Sequence, residues 1–214
     1  MRIAVMADIH SNHIALEACI AEAKQRHAEE FLFLGDYLGE LAYPEKTLEL
    51  LGWIRSQYPC AFIRGNKEEY WINHKNGKHG DWVWESGKSG SGMLAYVYGC
   101  LTQEQIEEFE RMPISMVMRY YGLPSLTICY GSPWKANESM REDYDYIDAF
   151  TKRLENRSND MRSFSYTKPI HAKRKNRCQS RCGRCSTQER WSYTVYDANR
   201  KRWKMGERVH HSSL

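Results

Sequence analysis

The sequence has no apolar run that approaches the length needed to cross a lipid bilayer. The apolar stretch that precedes Asp8 is also too short to form the core of a signal peptide. Seven cysteines, four of them scattered singly along the first 130 residues, do not suggest the disulfide framework of an exported protein. We therefore expect a cytoplasmic protein with no membrane partner.

Aliphatic side chains are scarce in the last quarter of the chain. After Asn156 only five residues are Phe, Ile, Val or Leu, and residues 157–214 carry 15 Lys and Arg against four Asp and Glu. Residues 1–156 are acidic instead, with 16 against 23. A basic segment with so little apolar surface cannot offset the entropy of ordering its backbone. The composition predicts a domain over residues 1–156 and a poorly ordered basic tail over residues 157–214.

In the first domain, predicted strands alternate with predicted helices. Short apolar runs predict the strands, and apolar residues at helical spacing predict the helices. The predicted strands cover residues 3–7, 31–34, 61–63, 114–120 and 126–129. The predicted helices cover residues 13–26, a segment that begins at Pro44, residues 102–110 and residues 145–154. The β-α-β-α-β order at the start indicates an α/β fold with a parallel sheet.

Three polar motifs directly follow the first three predicted strands. They are Asp8-Ile9-His10, Gly35-Asp36 and Gly65-Asn66. Because the loops at the carboxyl ends of parallel strands meet at one edge of a sheet, these segments can build one site. Carboxylate, imidazole and amide ligands suit Mn²⁺, Fe²⁺ or Zn²⁺. Two such ions can hold a phosphate and activate a water molecule for in-line attack.

Each motif also has an ordinary structural interpretation. An Asp after a strand is commonly a helix N-cap or a turn residue, and Gly-Asp and Gly-Asn pairs are common in turns. Taken one at a time, these interpretations are favoured. Taken together, the order, the spacing and the strand-end positions of the motifs favour a shared site.

The residues around the motifs resemble a known family. Residues 7–12, 34–37 and 64–68 are similar to the first three metal-binding motifs of the calcineurin-like metallophosphoesterases, most closely of the small bacterial phosphodiesterase-like branch. The resemblance implies an α/β fold of the four-layer α/β/β/α sandwich type, here incomplete at its C-terminal end. It also implies two divalent metal ions, with Mn²⁺ favoured, and the metal ligands Asp8, His10, Asp36 and Asn66.

Two positions depart from the family pattern. Lys67 stands where most of the family has a histidine that assists the phosphate or the leaving group. As a catalytic residue, Lys67 would supply positive charge to a phosphoryl oxygen. The alternative, which we weight equally, is that Lys67 is a solvated loop residue. Tyr130 stands where a strand of the family ends in a histidine ligand. Because a neutral phenol is a poor replacement for imidazole, we expect the second metal to be weakened.

The Gly-His-Xaa-His motif that completes the two-metal site of the family is absent from the chain. Reverse translation with a shift of one base offers an explanation. In the shifted frame, the codons of residues 161–166 permit Cys-Gly-His-Ser-His, and those of residues 179–186 permit Asn-Pro-Gly-Ala-Val-Gly. The family would have both motifs here. We infer a frameshift near residues 156–160 that leaves the chain out of frame from there to Leu214.

The tail has a rival, functional interpretation. Cys178, Cys182 and Cys185, with His171 nearby, are the ligand types of a small zinc site, and the surrounding basic residues would contact nucleic-acid phosphates. Their spacing matches no standard zinc knuckle, and Trp191 alone is near enough to stack on a base. The frameshift is therefore the favoured interpretation, and nucleic acid is disfavoured as a partner.

Three functions remain open. The first is metal-dependent hydrolysis of phosphate mono- or diesters, with a small phosphoester or a nucleotide as the substrate. The second is a decayed family member that has lost turnover. The third is a basic tail that binds zinc or nucleic acid on a partial enzyme scaffold. We favour the first, with activity impaired by the lost histidine ligands.

Overall fold

The computed structural model describes residues 1–39, 41–78, 89–121, 126–138, 188–197 and 202–211, with the backbone alone for residues 89–91 and the last two ranges. The strands are β1 (Arg2–Met6), β2 (Glu30–Phe33), β3 (Cys60–Phe62), β4 (Ser115–Met118), β5 (Leu126–Cys129), β6 (Gln188–Asp197) and β7 (Arg202–His211). The helices are α1 (His13–Gln25), α2 (Pro44–Gln57), α3 (Asn66–Lys75), α4 (Ser89–Cys100) and α5 (Gln103–Arg111). None of the described helices is long and apolar enough to span a membrane.

The larger sheet has the strand order β3-β2-β1-β6-β7. β1, β2 and β3 are parallel, as the alternation of strands and helices predicts, with Ala4 opposite Phe31 and Leu32 opposite Ala61. β6 and β7 extend the sheet in antiparallel fashion. The carboxyl ends of β1, β2 and β3 therefore lie side by side at one edge.

Both faces of the parallel strands are buried, which explains why their sequences are continuous apolar runs rather than alternating ones. Ala4, Met6, Phe31 and Phe33 pack under the helices in one core. The intervening residues point to the opposite face and pack in a second core against Ile128 of β5. Residues of alternating parity along each strand thus serve two different layers.

β4 and β5 form a second, antiparallel sheet that covers this opposite face. Its partly buried Met116 and Met118 complete the second core. The described residues thus build a helix layer and two sheet layers of the α/β/β/α sandwich. The predicted helix over residues 145–154 and the predicted domain boundary after residue 156 lie outside the described residues.

Two helices among the described residues were not predicted by hydrophobic spacing. α3 begins at Asn66, inside the third polar motif, and only Trp71, Ile72 and the carboxylate of Glu68 are buried in it. So few apolar positions give a weak periodic signal. α4 has small and aromatic residues and no charged residue in either terminal turn. Tertiary packing, rather than local sequence pattern, decides both helices.

Two strands of the larger sheet belong to the described part of the tail. β6 and β7 pair in antiparallel fashion, and β6 pairs with β1 from Arg2 opposite Asp197 to Val5 opposite Thr194. The average composition of the tail hides a local pattern, because Trp191, Tyr193 and Val195 alternate through β6. Such residues favour strands.

Candidate metal centre

The loops after β1 and β2 run side by side and are joined by main-chain hydrogen bonds. The Asp8 N–H donates to the Gly35 carbonyl at 3.2 Å, and the His10 N–H donates to the Asp36 carbonyl at 3.0 Å. The Ser11 N–H continues this ladder to the Tyr37 carbonyl at 2.9 Å. Pairing between the two segments thus extends past the ends of the strands and fixes both polar motifs.

Four non-glycine residues of these loops have left-handed backbone conformations, one of which is Ser11 with φ 65°. Asp8 has φ 54°, His10 has φ 50° and Asp36 has φ 54°. Non-glycine residues adopt this region rarely, and each instance costs on the order of 1–3 kcal/mol. The surrounding hydrogen bonds hold the strained geometry in place. Strain of this kind gathers where side chains must be aimed for function.

The strained loops bring three side chains together in a cluster that we call the metal cluster, Asp8, His10 and Asp36. One ligand atom from each lies within 4.8 Å of the others. His10 Nε2 is 3.5 Å from Asp8 Oδ1 and 3.8 Å from Asp36 Oδ2. Two oxygens and one nitrogen are a suitable donor set for a first-row divalent metal.

The Oδ2 atom of Asp8 provides a test of that interpretation. It is buried and has no hydrogen-bond partner among the described residues. A buried carboxylate oxygen without a donor is costly, so native structures rarely leave one. A cation at the metal cluster would satisfy it. The residues present therefore fit a metal ion at this position.

The electrostatics of Asp36 point the same way. Burial raises the pKa of its carboxyl group to about 7, the negative charge of Glu68 adds to the rise, and the Lys67 N–H opposes it. A bound cation would favour the ionised carboxylate and reverse this tendency. Asp36 is thus poised to exchange a proton for a metal ion.

Two glycines allow the loops after β2 and β3 to touch. A Cβ atom on Gly35 would lie 2.3 Å from the Gly65 nitrogen, and one on Gly65 would lie 2.3 Å from Asp36 Oδ1. Gly35 also has φ +96°, a backbone angle that residues with a Cβ atom rarely adopt. The Gly-Asp and Gly-Asn motifs are therefore packed directly against each other.

Glu68 is a supporting residue to which the sequence analysis gave no role. Its fully buried carboxylate accepts the Asp36 N–H at 2.9 Å, the Tyr37 N–H at 2.9 Å and the Gly65 N–H at 2.7 Å. It therefore ties the second and third loops together. Burial raises the pKa of Glu68, and these donors lower it in part. Glu68 is the third helical residue after the N-cap Gly65, the position of the acidic residue in a capping box. That spacing is the sequence signal that could have identified it.

Asn66 and Lys67 lie at the same edge, at the start of α3. The Lys67 N–H donates to Asp36 Oδ1 at 2.9 Å, so Asn66 stands between two residues that both contact Asp36. The Lys67 ammonium lies 5.8 Å from the centre of the Tyr70 ring. The backbone of Lys67 thus reaches the metal cluster, while the catalytic role of its side chain stays a prediction.

Tyr130 lies beside the metal cluster, and its assignment to a former ligand position stays a prediction. Its hydroxyl oxygen is 2.6 Å from Asp8 Oδ1 and 2.9 Å from Asp36 Oδ2. Burial, followed by the charges of Asp36 and Asp8, raises the pKa of Tyr130 far above its usual range, which keeps the phenol neutral. One hydroxyl proton serves one carboxylate only. The second short contact is satisfied when Asp36 holds a proton of its own.

A model of the calcineurin-like phosphoesterase family matches residues 1–172. The chain belongs to the calcineurin-like phosphoesterases. The resemblance of the three motifs and the assignment as a metallophosphoesterase, a hydrolase, are thereby confirmed. No curated protein matches this phosphoesterase.

Two solved structures share its fold. The hypothetical protein PH1004 from Pyrococcus horikoshii OT3 aligns with a TM-score of 0.71 at 19% identity, covering 99% of this phosphoesterase and 88% of that chain. A metallophosphoesterase from Sphaerobacter thermophilus aligns with a TM-score of 0.60 at 17% identity, covering 99% and 90%. The α/β metallophosphoesterase fold is thereby confirmed.

Proposed function

We propose that this chain hydrolyses phosphate mono- or diesters with the help of divalent metal ions, at a rate reduced by the loss of histidine ligands. The observation that carries the proposal is the convergence of Asp8, His10 and Asp36 within 4.8 Å at the carboxyl edge of the parallel strands. Family membership supports the reaction class. A small phosphoester or nucleotide is the proposed substrate, and the cytoplasm is the proposed location.

The residues of the site have different tasks in this proposal. Asp8, His10 and Asp36 would hold the first ion, and Asp36 with Asn66 would hold the second. Bound divalent ions supply positive charge to the phosphate and make water a better nucleophile. Mn²⁺ is the favoured metal, and the ligand types also suit Fe²⁺ and Zn²⁺. Lys67 would place further positive charge beside a phosphoryl oxygen.

The second metal position is the weaker one in this proposal. Tyr130 replaces a nitrogen ligand with a neutral hydroxyl, which already contacts one oxygen of Asp8 and one of Asp36. A metal ion at the second position would have to compete with this hydroxyl for Asp36. We therefore infer that the chain binds one ion well and a second one poorly.

Hydrolysis of bis-p-nitrophenyl phosphate tests the proposal. We expect activity that depends on added Mn²⁺ and that falls at least about 100-fold in Asp36→Ala. Removing only a group that supports a metal ligand already costs about 10–100-fold in metal affinity or activity. Glu69→Gln is the matched control, since Glu69 is partly exposed and forms a long ion pair with Arg64 at 3.8 Å. Residual activity that is equal in Asp36→Ala and the parent chain would contradict the proposal.

The decayed-protein alternative rests on the same contacts of Tyr130. If the hydroxyl excludes the second ion altogether, the chain would bind a metal ion and yet lack turnover. Metal content after dialysis against Mn²⁺ separates the two cases from simple misfolding. One bound ion with no hydrolysis would favour the decayed protein over the impaired enzyme.

For the tail, we propose that the reading frame slips near residues 156–160 and that the chain is out of frame from there to Leu214. Two motifs of the family, in their expected order, are permitted by the shifted frame, which supports this proposal. The cysteine cluster of the rival zinc hypothesis, residues 178–185, lies outside the described residues.

The nucleotide sequence of the gene over codons 150–200 tests this proposal. We expect the shifted frame to spell Cys-Gly-His-Ser-His and Asn-Pro-Gly-Ala-Val-Gly. Codons that do not permit these motifs would make the tail a genuine part of the protein. In that case, loss of bound zinc in Cys182→Ser would support the zinc hypothesis.

A further inference from the structure

An exposed group of aromatic rings lies beside the metal cluster. It consists of His13, Tyr43 and Tyr96, which we call the aromatic platform. The rings of His13 and Tyr43 are 5.7 Å apart between centres and nearly perpendicular. Tyr43 is 55% exposed and Tyr96 is 52% exposed. Aromatic rings of this size are normally buried for their apolar area, so their exposure together needs a reason.

The third ring belongs to the same patch. A hydrogen bond with Cys100 raises the pKa of the Tyr96 hydroxyl, and the charges of Glu45 and Tyr43 raise it further. α4, which carries Tyr96, contacts α2, which begins directly after Tyr43. The Lys46 ammonium lies 4.8 Å from the centre of the Tyr43 ring and adds a positive charge to the platform.

The loop that carries Tyr43 is anchored at the metal cluster. The Leu41 N–H donates to the His10 carbonyl at 3.3 Å, and the Gly39 N–H donates to Ser11 Oγ at 3.2 Å. Gly39 also packs on the His10 ring, where a Cβ atom would lie 2.3 Å from Nδ1. Tyr43 follows Leu41 by two residues, and His13 follows His10 by three. The platform thus adjoins the metal cluster through two separate segments.

Tyr43 occupies a position that does not favour tyrosine for structural reasons. Its φ angle of 70° is left-handed, and as the N-cap of α2 it makes no side-chain capping hydrogen bond. Asn serves both the N-cap and the left-handed backbone better than an aromatic residue. The exposed ring is therefore the feature that distinguishes tyrosine at this position.

We propose that the aromatic platform stacks on the planar base of a nucleotide whose phosphate lies at the metal cluster. Every nucleobase has a flat π-face, and stacking on exposed aromatic side chains tolerates different bases. The Lys46 charge suits the electron-rich edge of a base or a second phosphate. The inference rests on the proposed phosphoesterase function and specifies its substrate class as nucleotides rather than sugar or aryl phosphates.

The test compares three ligands, AMP, ribose 5-phosphate and adenosine, by saturation-transfer NMR titration of the full chain with Zn²⁺, which is diamagnetic. Ribose 5-phosphate reports the phosphate site alone, and adenosine reports the platform alone. We expect AMP to bind roughly 5- to 100-fold more tightly than ribose 5-phosphate, the range that stacking of one base supplies.

Two substitutions then locate the effect. Tyr43→Asn removes the ring and suits the left-handed backbone, so the fold is retained, and the ratio of AMP to ribose 5-phosphate affinity should fall close to one. Tyr43→Phe should keep the ratio. Tyr121→Ala is the control for loss of an exposed tyrosine on another element, because Tyr121 is fully exposed after β4.

The outcomes separate this proposal from the proposed function. Equal affinities of the parent chain for AMP and ribose 5-phosphate would overturn the platform and leave the phosphate site standing. An AMP preference that survives in Tyr43→Asn would also overturn it. Adenosine binding that is lost in Tyr43→Asn would support the platform, whether or not ribose 5-phosphate binds. Failure of ribose 5-phosphate to bind would count against the phosphate site and not against the platform. A p-nitrophenyl phosphate that binds as tightly as AMP and loses affinity in Tyr43→Asn would overturn nucleotides as the substrate class.

Discussion

The two halves of the candidate metal centre differ in what their side chains offer. In the first half, Asp8 and His10 point a carboxylate and an imidazole at Asp36, and one buried oxygen of Asp8 has no donor among the described residues. The second half offers the hydroxyl of Tyr130, which lies 2.9 Å from Asp36 Oδ2 and also reaches to 2.6 Å from Asp8 Oδ1 in the first half. The first half therefore offers charged and imidazole ligands to a cation, whereas the second offers a neutral hydroxyl that donates a proton to them.

The comparison shows how a single side chain alters a metal site without disturbing its scaffold. Tyr130 follows β5, which pairs in regular register with β4 from Leu126 opposite Met118 to Cys129 opposite Ser115. The strand therefore delivers residue 130 to the site whatever its chemistry. The phenol donates its one proton to a buried carboxylate, and this contact is the basis of our proposal that the second metal position is weakened.

The largest expected effect comes from removing the residue that ties the loops after β2 and β3 together. Glu68→Ala would leave the buried N–H groups of Asp36, Tyr37 and Gly65 without their acceptor. Each such group costs about 1–3 kcal/mol, so we expect a loss of about 4 kcal/mol in the free energy of unfolding. Urea denaturation followed by circular dichroism measures this loss.

Glu69→Ala is the matched control for Glu68→Ala. It removes a carboxylate at the next position of the same helix, where the side chain is partly exposed. We expect it to change the free energy of unfolding by less than about 1 kcal/mol. Equal effects of the two substitutions would show that Glu68 does not hold the loops together.

The next largest effect separates the loops themselves. Gly35→Ala places a Cβ atom 2.3 Å from the Gly65 nitrogen in a backbone with φ +96°, and we expect a loss of about 2–4 kcal/mol from overpacking and strain. Gly77→Ala is the control, because Gly77 has φ +65° and open space around it. Thermal melts of both variants isolate the loss of stability that the clash with Gly65 causes. Similar losses of stability in the two variants would contradict a role for this clash.

A smaller effect concerns pH in the presence of a chelator. The pKa of Asp36 is raised from 3.8 to about 7 in the folded state, so between these values the folded chain holds a proton that the unfolded chain has lost. Stability should therefore fall as pH rises from about 4 to about 7. Melting temperatures across this range measure the slope, which Mn²⁺ and Asp36→Asn should each flatten. A slope unchanged in Asp36→Asn would assign it to other groups.

The smallest and most specific expected effect is a gain in bound metal ions. Tyr130→His restores a nitrogen ligand to the second half, and we expect the bound Mn²⁺ to rise from about one to about two ions per chain, with affinity higher by about 10–100-fold. Elemental analysis after dialysis measures the content. Tyr130→Phe should remain near one ion, because it removes the hydroxyl and adds no ligand. A second ion in Tyr130→Phe would show that the hydroxyl merely blocks the site.

Local sequence pattern predicted the parallel strands and the helices that have clear apolar spacing. It predicted β5 at residues 126–129 and the start of α2 at Pro44, where proline favours the first helical turn. It missed α3, since Trp71 and Ile72 are buried through tertiary contacts rather than a regular apolar stripe. It also missed β6, because the mean composition of the tail concealed a short alternating stretch.

The sequence by itself determined the family, the placement of the three polar motifs at strand ends and the departure at Tyr130. These depend on residue type and order, which are local properties. Only the tertiary structure decided that Asp8, His10 and Asp36 converge, that Glu68 accepts three backbone donors, and that the Tyr130 hydroxyl reaches both carboxylates. These depend on left-handed backbone angles and on contacts between loops that are distant in the chain, because a side chain's direction is set by the packing around it.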